Sequence, residues 1–136
     1  MPPEDEKRRL TWEWLAKARE DILTADRAAQ PPPLVDSVLF HCQQAAEKAL
    51  KAYLTWNDQP FRRVHDLEEL IRQGAAVNAD MAALLEAGHT LSPYAVEPRY
   101  PSDDAEPTPA DIEEARRLAG RVVDFILARL PPEVQP

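Results

Sequence analysis

Arg99 and Tyr100 are adjacent in a segment that prolines constrain on both sides, from Pro93 to Pro101. Proline fixes one backbone dihedral, so the two side chains would be presented with little loss of conformational freedom on binding. A guanidinium can hold a phosphate through two parallel hydrogen bonds, and a tyrosine ring can stack on a base. The pair is therefore the best candidate for a nucleotide-binding site. The alternative is structural: Arg99 would bond helix-end carbonyls while Tyr100 fills a gap in a bundle.

Three further side chains could contact a phosphate or move a proton. Lys48 and Lys51 lie in the central helical stretch, and His65 comes shortly after the consecutive Arg62 and Arg63. Histidine titrates near neutrality, which suits acid–base chemistry. Each also has a structural interpretation, because surface lysines are commonly solvated and His65 stands just before a helix cap at Asp66. We treat all three as binding candidates and assign no catalytic residue.

Polar side chains also interrupt two apolar helix faces. On a helical wheel of ~100° per residue, Gln43 falls between Leu50 and Leu54, while Arg19 and Asp26 fall on the apolar side of the first helix. A buried amide must find hydrogen-bond partners. We therefore expect a polar network that joins Arg19, Asp26 and Gln43. The alternative is that Arg19 extends to solvent and Gln43 bonds a nearby backbone group.

Helix-breaking residues divide the chain into long stretches. Thirteen of the fourteen prolines cluster at 2–3, 31–33, 93–109 and 131–136, and only three glycines occur. No alternating apolar and polar stretch is long enough to indicate a strand. The sequence predicts an all-α fold, an antiparallel up-and-down bundle of about five helices, three of them long.

Local signals place the helix ends. Asp66 and Glu69 have the spacing of a capping box, and Gly74 is expected to stop the short helix that they open. Thr108 before Pro109 is typical of a helix start. We expect helices over 5–29, 34–56, 66–73, 79–88 and 109–130.

The central helix has an unusually wide apolar arc of roughly 200°, where about 100° suffices for a helix lying on a core. It should therefore contact several partners, among which a second subunit is one possibility. The opposite face is expected to be exposed and polar, and it carries His41, Gln44, Glu47, Lys48 and Lys51.

Composition limits the classes of function. The 136 residues fit one domain, 1–136, with a core over about 10–130 and flexible ends at 1–5 and 131–136. A net charge of −8 argues against broad, non-specific nucleic-acid binding, although a local basic groove is allowed. One cysteine, Cys42, and three scattered histidines provide no zinc-ligand spacing, so we expect neither metal nor cofactor. No apolar run approaches the roughly 20 residues of a membrane span, and a cytoplasmic location is expected.

Three motifs, in order along the chain, carry a family resemblance. The stretch from Phe40 to Ala52, FHCQQAAEKALKA, resembles the signature helix of HEPN domains, where an aromatic residue, paired glutamines and a Glu-Lys-Ala-Leu-Lys run recur. His65-Asp66-Leu67 resembles the His-Asp-Leu that precedes the family's short helix. Arg99-Tyr100-Pro101 resembles its Arg-Tyr-Pro turn before the last helix. The resemblance extends from Trp14 to about Leu130.

The resemblance implies an antiparallel bundle, commonly a homodimer, that binds nucleotides or RNA. Many small members are paired with a separate minimal nucleotidyltransferase, often as toxin and antitoxin. The ribonuclease members carry an arginine, then a polar residue, then a histidine after four to six residues in all. None of the twelve arginines here has a histidine at that spacing.

Three functions remain open. The first is a non-catalytic, dimeric nucleotide- or RNA-binding module that acts with a nucleotidyltransferase. The second is a divergent endoribonuclease toxin whose site combines His65 or His41 with Arg99. The third is a structural helical adaptor, which would bind no nucleotide.

Overall fold

The computed structural model of the chain describes residues 3–62, 66–95 and 106–136. Within these ranges the structure is all-α, as predicted, and contains no strand. None of the described helices is long and apolar enough to cross a membrane. The α-helices are α1 (Glu4–Ala28), α2 (Val35–Trp56), α3 (Leu67–Val77), α4 (Leu85–Leu91) and α5 (Pro109–Leu127). Short 3-10 turns follow three of them, at Ala79–Leu84, Ser92–Ala95 and Pro132–Val134.

α2 is the centre of the bundle and packs on α1, α3, α4 and α5. Its alanines let these neighbours approach closely, and four of them are fully buried: Ala45, Ala46, Ala49 and Ala52. The wide apolar arc of α2 is therefore filled by helices of the same chain. The arc no longer argues for a second subunit.

α3 and the segment after it both run past the glycines that were expected to end them. We expected Gly74 to stop α3, but the helix continues to Val77. A Cβ at Gly74 would lie 2.8 Å from Met81 Cε, and one at Gly88 would lie 2.6 Å from Ile71 Cδ1. These glycines allow α3 to pack closely on the following turns, where an added Cβ would displace the end of the Met81 or Ile71 side chain, and neither glycine ends its helix.

The helix caps partly follow the prediction. Thr108 and Asp111 form a reciprocal capping box at the start of α5, with nitrogen-to-oxygen distances of 2.8 and 3.2 Å. Asp66 caps α3 by accepting the N–H two residues on, at 3.0 Å. Glu69, the expected partner in that box, instead accepts a hydrogen bond from Arg62 at 2.7 Å.

Regular structure begins close to one end of the described chain, and the other end packs against α5. α1 already begins at Glu4, and Val134 is fully buried. The side-chain amide of Gln135 donates to the carbonyls of Leu127 and Leu130, both at 2.9 Å. Those carbonyls lie at the end of α5, where no further helical turn can satisfy them. Residues 131–136 therefore cap the carboxyl end of α5.

Candidate functional site

α1 and α2 pack antiparallel along a line of polar side chains. Lys7, Trp14 and Asp21 are seven residues apart, which places them on one side of α1. Lys7 bonds Asp58 in the turn after α2, Trp14 contacts Lys51, and Asp21 bonds His41. The contacts therefore run backwards along α2, as in an antiparallel pair. We define the α1–α2 seam as Lys7, Trp14, Asp21, His41, Gln43, Gln44, Glu47, Lys48, Lys51 and Asp58.

Asp21 is a buried carboxylate that holds the two seam side chains that reach the surface. This residue is only 6% exposed, and its two carboxylate oxygens bond His41 Nδ1 at 2.8 Å and Lys48 Nζ at 2.6 Å. A buried carboxylate needs such compensation. Because an ionised carboxylate only accepts, His41 donates from Nδ1, which directs Nε2 away from the pair. The side chains of His41 and Lys48 remain 27% and 22% exposed, so a ligand can reach both.

A second, deeper group runs along α2 at a spacing of four residues. The Gln43 amide donates to Glu47 Oε1 at 3.2 Å, and Lys51 Nζ donates to Glu47 Oε2 at 3.1 Å. All three residues are buried. Gln44 adds a bond to the Gln43 oxygen at 2.7 Å. We call Gln43, Glu47 and Lys51 the α2 ladder.

The burial of the ladder corrects the expectation that Glu47 and Lys51 are on an exposed face. Trp14 from α1 and Phe61 from the segment after α2 lie over the Lys51 ammonium. Lys51 Nζ lies 5.5 Å from the Trp14 ring centroid and 5.6 Å from that of Phe61, and the two rings meet edge to face at 6.2 Å. Both rings stabilise the ammonium by cation–π attraction while they exclude water.

Of the five nucleotide-binding candidates, the structure describes two, and these two lie in different surroundings. Lys48 is at the surface beside His41, whereas Lys51 is enclosed in the ladder and its ammonium is not available to a phosphate in this arrangement. Arg99, Tyr100 and His65 lie outside the described residues.

The predicted network of Arg19, Asp26 and Gln43 is not formed as a unit among the described contacts. The guanidinium of Arg19 donates to the Pro136 carbonyl, and Asp26 pairs with Arg116 Nη2 at 3.1 Å. Gln43 belongs to the α2 ladder. Arg19 and Asp26 lie toward α5 and the segment after it, whereas Gln43 bonds along α2, so the three bond to different elements.

Two side chains outside the seam have shifted pKa values. Burial raises the pKa of the Cys42 thiol to about 12, so it stays protonated and is a poor nucleophile near neutral pH. Hydrogen bonds to Asp26 and Glu113 raise the pKa of Arg116 and keep this cation in place. Among the residues described, no group of three His, Cys, Asp or Glu side chains is placed to hold a metal ion.

Sequence inspection missed Asp21, the residue on which the exposed part of the seam depends. A signal was present, because His41 and Lys48 are also seven residues apart. Two potential cations on one stripe of α2, opposite an acid on the matching stripe of α1, would have suggested the contact. Phe61 carried no such signal, since it lies outside any helix.

Comparison with known proteins places the fold. The sequence matches the HEPN domain family over residues 11–130. The crystal structure of TT1696 from Thermus thermophilus superposes with a TM-score of 0.73 and is 29% identical, covering 88% of this chain and 98% of that one. The structure of ST0689, an archaeal HEPN homologue, has a TM-score of 0.67 at 24% identity and covers 88% and 96% of the two chains. No curated protein matched the sequence. The chain belongs to the HEPN domain family, which is associated with nucleotides and RNA.

Proposed function

We propose that the chain is a non-catalytic nucleotide- or RNA-binding module, and that His41 and Lys48 form its described contact point. The observation that carries the proposal is that both side chains are held on the buried Asp21 carboxylate while part of each stays exposed. An ammonium has three donors, and only one of them goes to Asp21. Lys48 therefore keeps donors for phosphate oxygens, and His41 Nε2 adds a neighbouring polar contact.

The acidic composition restricts how such a site binds. A net charge of −8 provides no broad attraction to phosphate, so binding must come from a few placed contacts. Observed affinity should accordingly fall only shallowly as salt rises. Arg99, Tyr100 and His65 remain part of the proposed contact set. The resemblance further suggests a homodimer and a minimal nucleotidyltransferase partner in a toxin–antitoxin-like pair, and both belong to this proposal.

Isothermal titration with ATP, GTP and a short RNA, with and without magnesium, tests the binding role. Lys48→Gln and Arg99→Ala should each weaken binding by about tenfold or more, the range of a lost charged hydrogen bond. Arg121→Gln is the matched control, because this exposed arginine lies on α5 and bonds only the Ala83 carbonyl among the described residues. Absence of binding to every ligand would contradict the proposal and favour a structural adaptor.

The partner is tested separately by co-expression with the minimal nucleotidyltransferase encoded nearest to this gene. Recovery of a stoichiometric complex through several purification steps supports the pairing. Failure of the two proteins to associate, with both folded, contradicts it.

A second function is favoured by one geometric observation. An imidazole oriented through Nδ1 by a buried carboxylate, as His41 is by Asp21 at 2.8 Å, is the arrangement that positions a general base. A divergent endoribonuclease would use His41 Nε2 to activate a 2′-hydroxyl. Its test is RNA cleavage by the wild type and by His41→Gln, with His89→Gln as the control histidine that bonds Glu68 at 2.9 Å. Cleavage that survives His41→Gln excludes this site.

A further inference from the structure

A groove between α1 and α5 lies on the side of α1 away from the α1–α2 seam. It consists of two adjoining depressions of about 370 and 450 Å³ that share Ile22 and Gly120. One end is polar and the other is apolar. We define the α1–α5 groove by its lining at the apolar end: Arg19, Ile22, Leu23, Gly120, Val123, Asp124 and Leu127.

Gly120 has no reason within the described fold to be a glycine. It lies inside α5, where glycine is the least favourable residue apart from proline, and its φ is not positive. At Gly74 and Gly88, a Cβ would come within 3 Å of the end of the Met81 or Ile71 side chain. At Gly120, by contrast, no described atom outside its own helix backbone lies within 4 Å of an added Cβ. The space above this glycine is open and suits close approach by another chain.

The same groove has a protruding apolar side chain beside this open space. Leu23 is 54% exposed, and Trp12, 45% exposed, continues the same stripe of α1 eleven residues earlier, beyond the groove lining. Val123 and Leu127 form the opposite wall. An exposed leucine beside apolar walls still has surface to bury against another molecule.

Charge indicates which partner fits. The two depressions together carry six charged side chains, three of each sign: Arg19, Arg116, Arg117, Asp26, Glu113 and Asp124. The groove is thus locally neutral on a chain of net charge −8. Neither a nucleic acid nor a strongly basic partner gains from a neutral surface. A second copy does, because two acidic chains repel least where each is uncharged.

The groove is also self-complementary. In a two-fold contact every residue pair occurs twice, so a patch must hold both the protrusion and the space that receives it. Leu23 and the open space over Gly120 are in one groove. We propose that two copies associate through the α1–α5 groove, with Leu23 of each packed over Gly120 of the other. This names the surface of the homodimer in the proposed function and rests on that proposal.

Sedimentation velocity on the full chain across micromolar concentrations tests the proposal. The wild type should be a dimer. Leu23→Glu and Gly120→Gln should each raise the dimer Kd by about tenfold or more, the effect of removing an interface anchor. Leu34→Glu is the matched control, since Leu34 is 65% exposed and lies outside the groove. Circular dichroism verifies that each variant keeps its helical content.

The outcomes separate clearly. A monomeric wild type overturns the proposal, and so does a dimer that survives either groove substitution. Loss of the dimer in both variants with retention in Leu34→Glu supports it. Ligand titration of the same variants keeps this result apart from the proposed function, because the candidate ligand residues Lys48 and His41 are on the opposite side of α1 from the groove.

Discussion

The α1–α2 seam and the α1–α5 groove use opposite sides of the same helix in opposite ways. In the seam, charged groups are buried together with their partners, as Glu47 is with Lys51. In the groove, the apolar side chain of Leu23 is exposed next to an open space. A charge buried with partners belongs to the fold of one chain, whereas exposed apolar surface still has burial to gain from another molecule. Substitutions in the seam should therefore change stability, and substitutions in the groove should change association.

The largest effect is expected in the α2 ladder. Glu47→Ala leaves the Lys51 ammonium buried without its carboxylate, which should lower the free energy of unfolding by about 3–5 kcal/mol. Urea denaturation followed by circular dichroism measures it. The double variant Glu47→Leu with Lys51→Met removes both charges and should recover much of the loss. A single variant as stable as the wild type would show that the ladder does not contribute to the fold.

A smaller loss is expected where α4 packs on α3. Gly88→Ala places a methyl group 2.6 Å from Ile71 Cδ1, with Leu67 Cβ and the Glu68 amide nitrogen also within 4 Å. Overpacking of this kind costs about 1–3 kcal/mol. The loss should be visible as a lower midpoint of urea unfolding with an unchanged slope. An unchanged midpoint would mean that α4 shifts freely on α3.

Cys42, which lies behind the polar end of the groove, predicts a pH dependence. Its thiol pKa is raised from 9.0 to about 12 by burial. Below pH 9 both the folded and unfolded states hold the proton, and between pH 9 and 12 only the unfolded state releases it. Stability should therefore fall as pH rises through that window, by up to ~1.4 kcal/mol per pH unit.

The measurement compares urea unfolding of the wild type and of Cys42→Ala across the same pH range. The difference in the free energy of unfolding between the two proteins should change with pH, because only the wild type contains this thiol. Parallel curves would show that the thiol has the same pKa in the folded and the unfolded state.

The smallest effect is expected at Gly120. Gly120→Ala adds a methyl group to open space and removes backbone freedom from the unfolded chain, so the monomer should gain up to about 1 kcal/mol. Chemical denaturation of the Leu23→Glu background, where association is weakened, isolates this gain. A loss of stability in that background would mean that Gly120 has a packing role inside the chain.

The signals that predicted the fold were local ones. Thr108 followed by Pro109 fixed the start of α5, and the proline run at 31–33 bounded α1, because caps and breakers act within one turn. The family motif of α2 was equally local. The match to the HEPN domain family over residues 11–130 confirmed the resemblance.

What could not be predicted depends on contacts between distant residues. Gly74 and Gly88 had the local pattern of helix stops, and only the positions of Met81 and Ile71 explain why they are packing residues. Lys51 was expected on a solvated face because nothing in α2 itself shows that rings from elsewhere cover it. In the candidate site, Lys48 was identified, but its anchor on α1 was not.

The seven-residue spacing of Lys7, Trp14 and Asp21 limits how this helix can vary in length. Inserting one residue between Trp14 and Asp21 would rotate all that follows by about 100°. Asp21 would leave the seam, and Leu23 would leave the groove in the same step. Relatives that keep both surfaces should therefore gain or lose residues in the connections between helices, and α1 itself should accept only insertions that preserve its phase.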